Sequence, residues 1–442
     1  MKPKSPLPPS LSRWLTPGLR VKRWLLLMIV GMALMGLGIG YILVEWYRDA
    51  VLPPIFFYIT LQFLPRVLRA FLFGGLGIFC LAYGFYRFYR SLLSSVTTHN
   101  DTPIVDMLWQ QRIGSNGPKV VAIGGGHGLA ALLRGIKKHT ANITAIITVA
   151  DDGGSSGRLR KEFGMLPPGD FRMCISALAD DESLVTQLFQ YRFGKSASGD
   201  SGLSGHSFGN LFIAAMAELT GSFEKALLES SKVVASTGRI VPSTLRDVIL
   251  CAEFKANERI PSLDGIGPAV LVPQAKGESQ IGKVGLPIER VWLEPGDSPA
   301  FPDAVRAILD ADIVVLGPGS LFTSVMPNLL VSGITQALRE TSAPVIYVGN
   351  VATERGETDH FTLDDHVNAL ERHIGQGIVD VVIANNHMTD FKPPAGVEIV
   401  QPVQTLAKSN ALLLQAEVVD DKTPWRHDPV KLAGVVMKQV RR

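Results

Sequence analysis

The sequence predicts an α/β fold, a mainly parallel sheet with helices on both faces, preceded by an N-terminal two-helix transmembrane hairpin. Three observations carry this reading. From residue 119 onward, short Val/Ile-rich runs alternate with longer helix-like stretches. Residues 119–170 pass from an apolar run through three glycines into a helical pattern, then to a second apolar run ending in Asp151 and Asp152. Residues 24–44 hold twenty-one residues without a charge, close to the roughly 20 that cross a hydrocarbon core as a helix.

The N-terminal part divides by composition. Residues 1–23, rich in Pro, Ser and base, read as a flexible basic arm. The span 24–44 carries Gly31, Gly36, Gly38 and Gly40, which favour close helix packing. A second span is expected near 67–86, with Arg66 and Arg69 snorkelling to one interface, so that the hairpin occupies 24–90. Six bases precede the first span and three lie in the connection. That excess orients the hairpin N-in and C-in, at the inner (plasma) membrane, with the main domain in the cytoplasm. Residues 91–118 read as a linker, and 119–442 as the main domain.

Charge follows the same division. Residues 1–95 hold eleven Lys/Arg and two acids, a net +9, which leaves −6 for the rest of a chain whose total is +3. The large domain therefore has no electrostatic footprint for nucleic acid. The three cysteines, Cys80, Cys174 and Cys251, are far apart and form no CxxC pair, so neither a disulfide framework nor a thiolate metal site is expected.

Within the main domain, helices are expected over 171–180, 184–193, 208–220 and 223–234. Strands are expected over 248–254, 291–293, 313–316, 345–348 and 379–384, with a small β insertion in 256–290. The turn Gly124-Gly125-Gly126-His127-Gly128 follows a strand and opens a helix. Glycine there lets an anion approach the amides, and the helix N-terminus adds about half a positive charge. Asp151 and Asp152 stand at a strand's carboxyl end, where open α/β sheets bind ligands; they can contact a ribose, hold a divalent cation or cap the next turn. The loop that follows, with Ser155, Arg158 and Arg160, offers hydroxyls and guanidiniums to phosphate. Three more stretches share this pattern: 205–210 with His206 and Asn210, 317–324 with Gly317, Gly319, Ser320 and Phe322, and Gly349-Asn350. His206 can serve equally as a helix cap or as a ligand contact. No G-x-S-x-G, HExxH or GxxxxGK[ST] occurs, so serine hydrolase, zincin and Walker-type readings lack their signatures.

Several long motifs resemble one family: VVAIGGGHGL, ITVADDGGSSGRLR, LPPGDFRMCISALA, GHSFGNLF, VLGPGSLFTSVMPNLL, GETDHFTLDDHV and RHDPVKLA. They are similar to the YvcK family of bacterial gluconeogenesis factors, related to the CofD 2-phospho-L-lactate transferases, over about 119–435. The resemblance implies a Rossmann-like core and a regulator that binds a nucleotide sugar of the UDP-N-acetylglucosamine type, or an NAD-like ligand. It links that regulator to gluconeogenic growth, cell shape and wall-precursor supply. It also implies a ligand site of Gly124, Gly125, Gly126, His127, Asp151, Asp152, Ser155, Asn210, Gly317, Gly319, Ser320, Phe322 and Arg426. Three positions depart from the family pattern: His127 for a usual Thr, Phe322 for a frequent Tyr, and Met173 for a usual Asn. The transferase branch carries a Pro-Asp-x-Asp-Thr-like motif where this chain has Pro167-Pro168-Gly169-Asp170. An alternative is therefore a Mg²⁺-dependent phosphoryl-type transferase using Asp151, Asp152 and Asp170, with Asp151 and Asp152 as metal ligands. Self-association into a homo-oligomer stays open.

Overall fold

A computed structural model describes residues 117–440 apart from 181, 195–201, 256–272, 388–392 and 395, together with scattered positions between 32 and 83. The chain forms two units, 1–110 and 111–442. In the first, a short helix spans Ile55–Ile59, and Val67, Phe71, Ile78 and Phe79 each expose more than 60% of their surface. Most of the two expected spans lies outside the described residues. Among the described residues no single helix is long and apolar enough to cross a membrane. The bent pair Leu321–Leu329 and Ser332–Glu340 has the length and composition, but its apolar side chains sit in the core of the second unit.

That second unit opens with β1 (Val120–Gly124) and α1 (Gly126–Ile136), followed by β2 (Ile143–Ile147). β1 is buried at every position, as a β-branched run must be when helices cover both faces of a parallel sheet. Along α1, Leu129, Leu132, Leu133 and Ile136 face the core, while His127, Ala131 and Arg134 share another face at helical spacing. Helices α2 (Gly154–Phe163), α3 (Gly169–Leu178), α4 (Glu182–Gln190), α5 (Phe208–Thr220) and α6 (Phe223–Val233) then precede β3 (Arg239–Pro242).

Next come β4 (Ile249–Phe254), β5 (Gln274–Lys276), α7 (Glu278–Val284) and β6 (Ile288–Glu294). β4, β5 and β6 pair antiparallel in a separate three-stranded sheet. Of the β insertion expected in 256–290, only β5 and the start of β6 fall among the described residues, residues 256–272 lying outside them; the sheet is completed by β4 and the rest of β6, and α7 was not expected from its Gly-rich sequence. After α8 (Pro302–Leu309) and β7 (Ile313–Leu316), a wide turn closes with Val325 N–H donating to the Ser320 carbonyl at 3.0 Å. The rest is α9 (Met326–Leu329), α10 (Ser332–Glu340), β8 (Val345–Val348), α11 (Leu363–Ile374), β9 (Val381–Asn385), β10 (Leu412–Ala416) and α12 (Pro429–Met437).

The large sheet runs β10-β9-β8-β7-β1-β2-β3, and every pairing in it is parallel. Strand order therefore reverses between β1 and β7. In doubly wound sheets the ligand crevice opens at that point, outside the carboxyl ends of the strands. The C-terminal helix α12 returns to lie on α1, and its first turn is capped by Asp428, which accepts from Val430 N at 2.8 Å and Lys431 N at 2.7 Å. Asp428→Ala is expected to lower stability by about 1 kcal/mol, read as a shift in the urea midpoint at unchanged slope.

Candidate functional site

At the switch point a cavity of about 780 Å³ is lined by the turn after β1, the turn after β7, the segment after β8 and the approach to α12. Its floor depends on glycine. A Cβ on Gly125 would lie 2.2 Å from Asp170 Oδ2, and one on Gly128 would lie 2.6 Å from the Pro318 carbonyl oxygen. Gly126 adopts φ 65°, a conformation glycine takes without steric cost. The two turns are tied together: Gly317 N–H donates to the Ile123 carbonyl at 2.8 Å, and Asn328 Nδ2 donates to the Gly124 carbonyl at 3.0 Å. The start of α1 is thereby held at the cavity's edge, where a helix N-terminus favours an anion, although the Gly126 N–H is itself taken by Asp170.

One wall is acidic. Asp151, Asp170 and Glu278 line it, and the Glu357 carboxylate lies behind Thr323, whose hydroxyl donates to it at 3.0 and 3.2 Å. Burial, reinforced by the neighbouring Asp151, lifts the Asp170 carboxyl to about 7, against a hydrogen bond from Gly126 N–H. Burial lifts Glu278 further, to about 9, with Asp151 and Asp170 adding repulsion. Glu357 is raised to about 7 by burial, opposed by its bond from Thr323. The wall therefore holds protons in place of counter-ions near neutral pH.

A second stretch of wall is cationic, formed by Arg134 and Arg426, with His127 and Trp425 also in the lining. His127 stays below the usual imidazole range because of burial and the positive charges of Arg426, Arg172 and Arg134. Burial also holds His427 down, at about 4, so that it lines the cavity as a neutral ring. Arg426 reaches this position because α12 packs on α1 at Gly135, where an added Cβ would lie 1.9 Å from the Pro429 carbonyl oxygen.

The family model of the 2-phospho-L-lactate transferase CofD matches residues 120–405. A relative from Nostoc sp. is 42% identical, in an alignment that covers 96% of this chain and 92% of that protein. The gluconeogenesis factor of Bacillus subtilis is 40% identical, in an alignment that covers 72% of this chain and 97% of that protein. The crystal structure of a UPF0052-family protein from Bacillus halodurans matches with a TM-score of 0.65 at 40% identity, covering 73% of this chain and 99% of that one. The chain belongs to the YvcK/CofD family of gluconeogenesis factors. Its Rossmann-like core and CofD-like domain follow from that membership.

For a YvcK/CofD-family chain, the residues expected at the site separate into two groups. Gly125, Gly126, His127, Asp151, Asp170, Gly319, Ser320 and Arg426 line the cavity together, and so does Met173. Gly124 and Gly317 lie just beneath, shaping the two turns. Asp152 is not in the lining. Its carboxylate accepts from Ser279 N at 2.8 Å and lies against Gly277, which is at φ 98°. The expectation that Asp151 and Asp152 form a metal pair is corrected on this point: adjacent residues leaving a strand direct their side chains to opposite sides. Asp151 faces the cavity with Asp170, while Asp152 fastens the first turn of α7 and so sets Glu278 in place.

Ser155 and Asn210 are buried away from the lining. Ser155 Oγ is 3.0 Å from His206 Nδ1 and accepts from Asn210 Nδ2 at 3.1 Å, a network that joins α2 to α5. Phe322 is 1% exposed and packs edge-on against Phe361 and His373, so its ring is core rather than a base contact. Arg158 donates to the Ser204 carbonyl at 2.8 Å, and Arg160 pairs with Asp247 and with the Val248 carbonyl. Both guanidiniums are thus committed to loops rather than to phosphate. Asn350, from the Gly349-Asn350 stretch, lines the cavity as well, and Arg134, Glu278, Glu354 and His427 line it without having been expected. Of these four only Arg134 carried a signal, seven residues after His127 on one helix face.

A smaller cavity of about 290 Å³ lies at the amino ends of β1 and β2. Its charges satisfy one another, Lys119 with Asp310 at 2.6 Å, and Arg239 and Arg306 with Asp303 at 2.5 and 3.2 Å.

Proposed function

We propose that this protein is a regulatory binder of a nucleotide sugar of the UDP-N-acetylglucosamine type, held in the switch-point cavity. The observation that carries the reading is that one cavity beside the glycine turn is lined both by cationic side chains, Arg134 and Arg426, and by the carboxyls of Asp151, Asp170 and Glu278. Phosphates belong against the α1 amides, His127, Arg134 and Arg426. Hydroxyls of ribose and sugar belong against the carboxyls, and Trp425 offers a face for the base. The volume falls inside the roughly 300–1,000 Å³ of small-molecule sites. Such a binder would serve gluconeogenic growth, cell shape and wall-precursor supply.

Placement beside a membrane is the second part of the reading. It is supported by the +9 charge of residues 1–95, by the uncharged run at 24–44, and by the exposed apolar side chains of the first unit. The Bacillus subtilis relative is covered to 97% by 72% of this chain, whereas the Nostoc alignment takes in 96% of it. The N-terminal unit is thus an addition to a domain that stands without it elsewhere. Tethering raises effective concentration near membrane partners. Alkaline carbonate extraction of native membranes should leave the full chain in the pellet; its release into the supernatant would refute the tether.

The ligand reading is tested by thermal shift. At about a hundredfold excess over Kd, UDP-N-acetylglucosamine should stabilise the domain by about 2.7 kcal/mol. Absence of any shift at millimolar UDP-sugar or NAD would remove it.

A second reading, a Mg²⁺-dependent phosphoryl-type transferase, is favoured by the acidic wall. Among the described residues no three His, Cys, Asp or Glu side chains are arranged to hold a metal ion. Two carboxylates with ligand phosphates suffice for Mg²⁺, and the raised carboxyls of Asp170 and Glu278 are what an acidic cluster shows before a cation relieves it. Asp151 and Asp170 would hold the ion, which would neutralise charge on a transferring phosphoryl group. Metal-dependent product formation that vanishes in a folded Asp170→Asn variant would support this reading, and unchanged turnover would sink it.

A further inference from the structure

The second residue of α1 is a histidine set among cations, with its ring in the cavity. His127, Ala131 and Arg134 form one stripe along α1, and all three line the cavity with Arg426. The charged groups facing the ring from its surroundings are Arg134 on its own helix, Arg172 on α3 and Arg426 ahead of α12. Asp151, Asp170, Glu278, Glu354 and Asp420 line the same cavity, and the Asp170 carboxyl is engaged by the Gly126 amide. The helix N-terminus adds further positive potential. Burial and these positive charges oppose a proton on the imidazole while the cavity is empty, and a diphosphate lying against the same groups offsets the charge effect and supplies an anionic partner for the ring.

We propose that His127 is a specificity residue for diphosphate: its ring accepts a proton from solvent as the phosphates arrive, becoming an imidazolium that donates a charged hydrogen bond to a phosphoryl oxygen. The proposal rests on the reading of the cavity as a nucleotide-sugar site. Its consequence is that binding consumes a proton, so affinity rises as pH falls towards 6. A neutral ligand of the same shape would gain nothing from that change. No bond to the ligand forms or breaks, and the proton returns to water on release.

The test uses the full chain in detergent micelles and UDP-N-acetylglucosamine, whose diphosphate bears no group that titrates near neutrality. Titration calorimetry at pH 7.0, in two buffers of different ionisation enthalpy, gives the protons taken up on binding. Wild type should take up about half to one proton, and its Kd should fall about tenfold from pH 8 to pH 6. His127→Thr and His127→Gln should still bind, with uptake lost and a Kd flat over the same range. Binding with equal uptake in wild type and variants would assign the proton to Asp170, Glu278 or Glu357 and overturn the proposal, as would binding without uptake. No heat from wild type would instead remove the nucleotide-sugar reading, and the proposal with it.

Discussion

Gly135→Val should lower the unfolding free energy by about 3 kcal/mol, and the folded fraction that remains should bind no ligand. The new Cβ would lie 1.9 Å from the Pro429 carbonyl oxygen and 2.6 Å from Ala433 Cβ. One contact is backbone and the other is the stem of a buried side chain, so neither can swing aside, and α12 must move as a body. Overpacking of this kind costs about 1–3 kcal/mol; valine, β-branched in a helix interior, belongs at the upper end. Pro429 opens α12, and Trp425, Arg426 and His427 lie immediately before it on the cavity wall. The displacement that relieves the clash therefore withdraws the cationic wall. Gly434→Ala supplies the control, because a Cβ there meets nothing within 4 Å. It should raise stability by about 0.5–1 kcal/mol through helix propensity alone. Equal midpoints for the two variants in urea would mean that α1 and α12 do not touch as described.

Replacing either raised carboxyl by its amide should make the protein more stable in mild alkali. Asp170 titrates near 7 in the fold against an ordinary 3.8, and Glu278 near 9 against 4.5, burial being the main cause in each. Between the ordinary and the folded value, the native state binds a proton that the unfolded chain has released. Stability accordingly falls as pH rises, by up to about 1.4 kcal/mol per pH unit per group, and below both values the penalty is absent. For Asp170 the window is about pH 4 to 7, and for Glu278 about pH 4.5 to 9. Water entry and mutual relaxation reduce the full amount. Asp170→Asn and Glu278→Gln are each expected to exceed wild type by on the order of 2 kcal/mol at pH 8, with the difference closing at pH 4. Because each charge raises the other's value, the double variant should gain less than the sum. Chemical denaturation at the two pH values reads the effect. A gain in stability joined to a loss of ligand or metal affinity would mark the wall as a site held under strain for function.

The parallel sheet was legible because its strands are nearly pure Val/Ile runs: 313–316 and 345–348 were read to the residue as β7 and β8. The edge strands β3 and β10 were not: β3 has only Ile240 and Val241 between Arg239 and Pro242, and the Leu run of β10 lacks the β-branched residues that mark the inner strands. Of the site, the glycine turn and Asp151 were visible from their place after a strand. Asp170 was visible only through the motif it belongs to. Glu278 had no local signal, because its role depends on Asp152 accepting from Ser279 N across more than a hundred residues. Ser155, Asn210 and Phe322 show the reverse case. Each sits inside a motif shared with the family, yet burial gives it a structural contact in place of a ligand. A motif identifies a neighbourhood, and side-chain direction decides which member faces the cavity.

Hydrogen exchange of the full chain with and without saturating UDP-N-acetylglucosamine tests the central claim most directly. The account predicts slowed exchange over 124–134, 317–324, 349–354 and 420–429, the segments that wall the switch-point cavity, with 303–310 at the opposite end of the strands unchanged. Ligand-bound protein with protection absent from those four segments, or confined to the amino ends of β1 and β2, would contradict it.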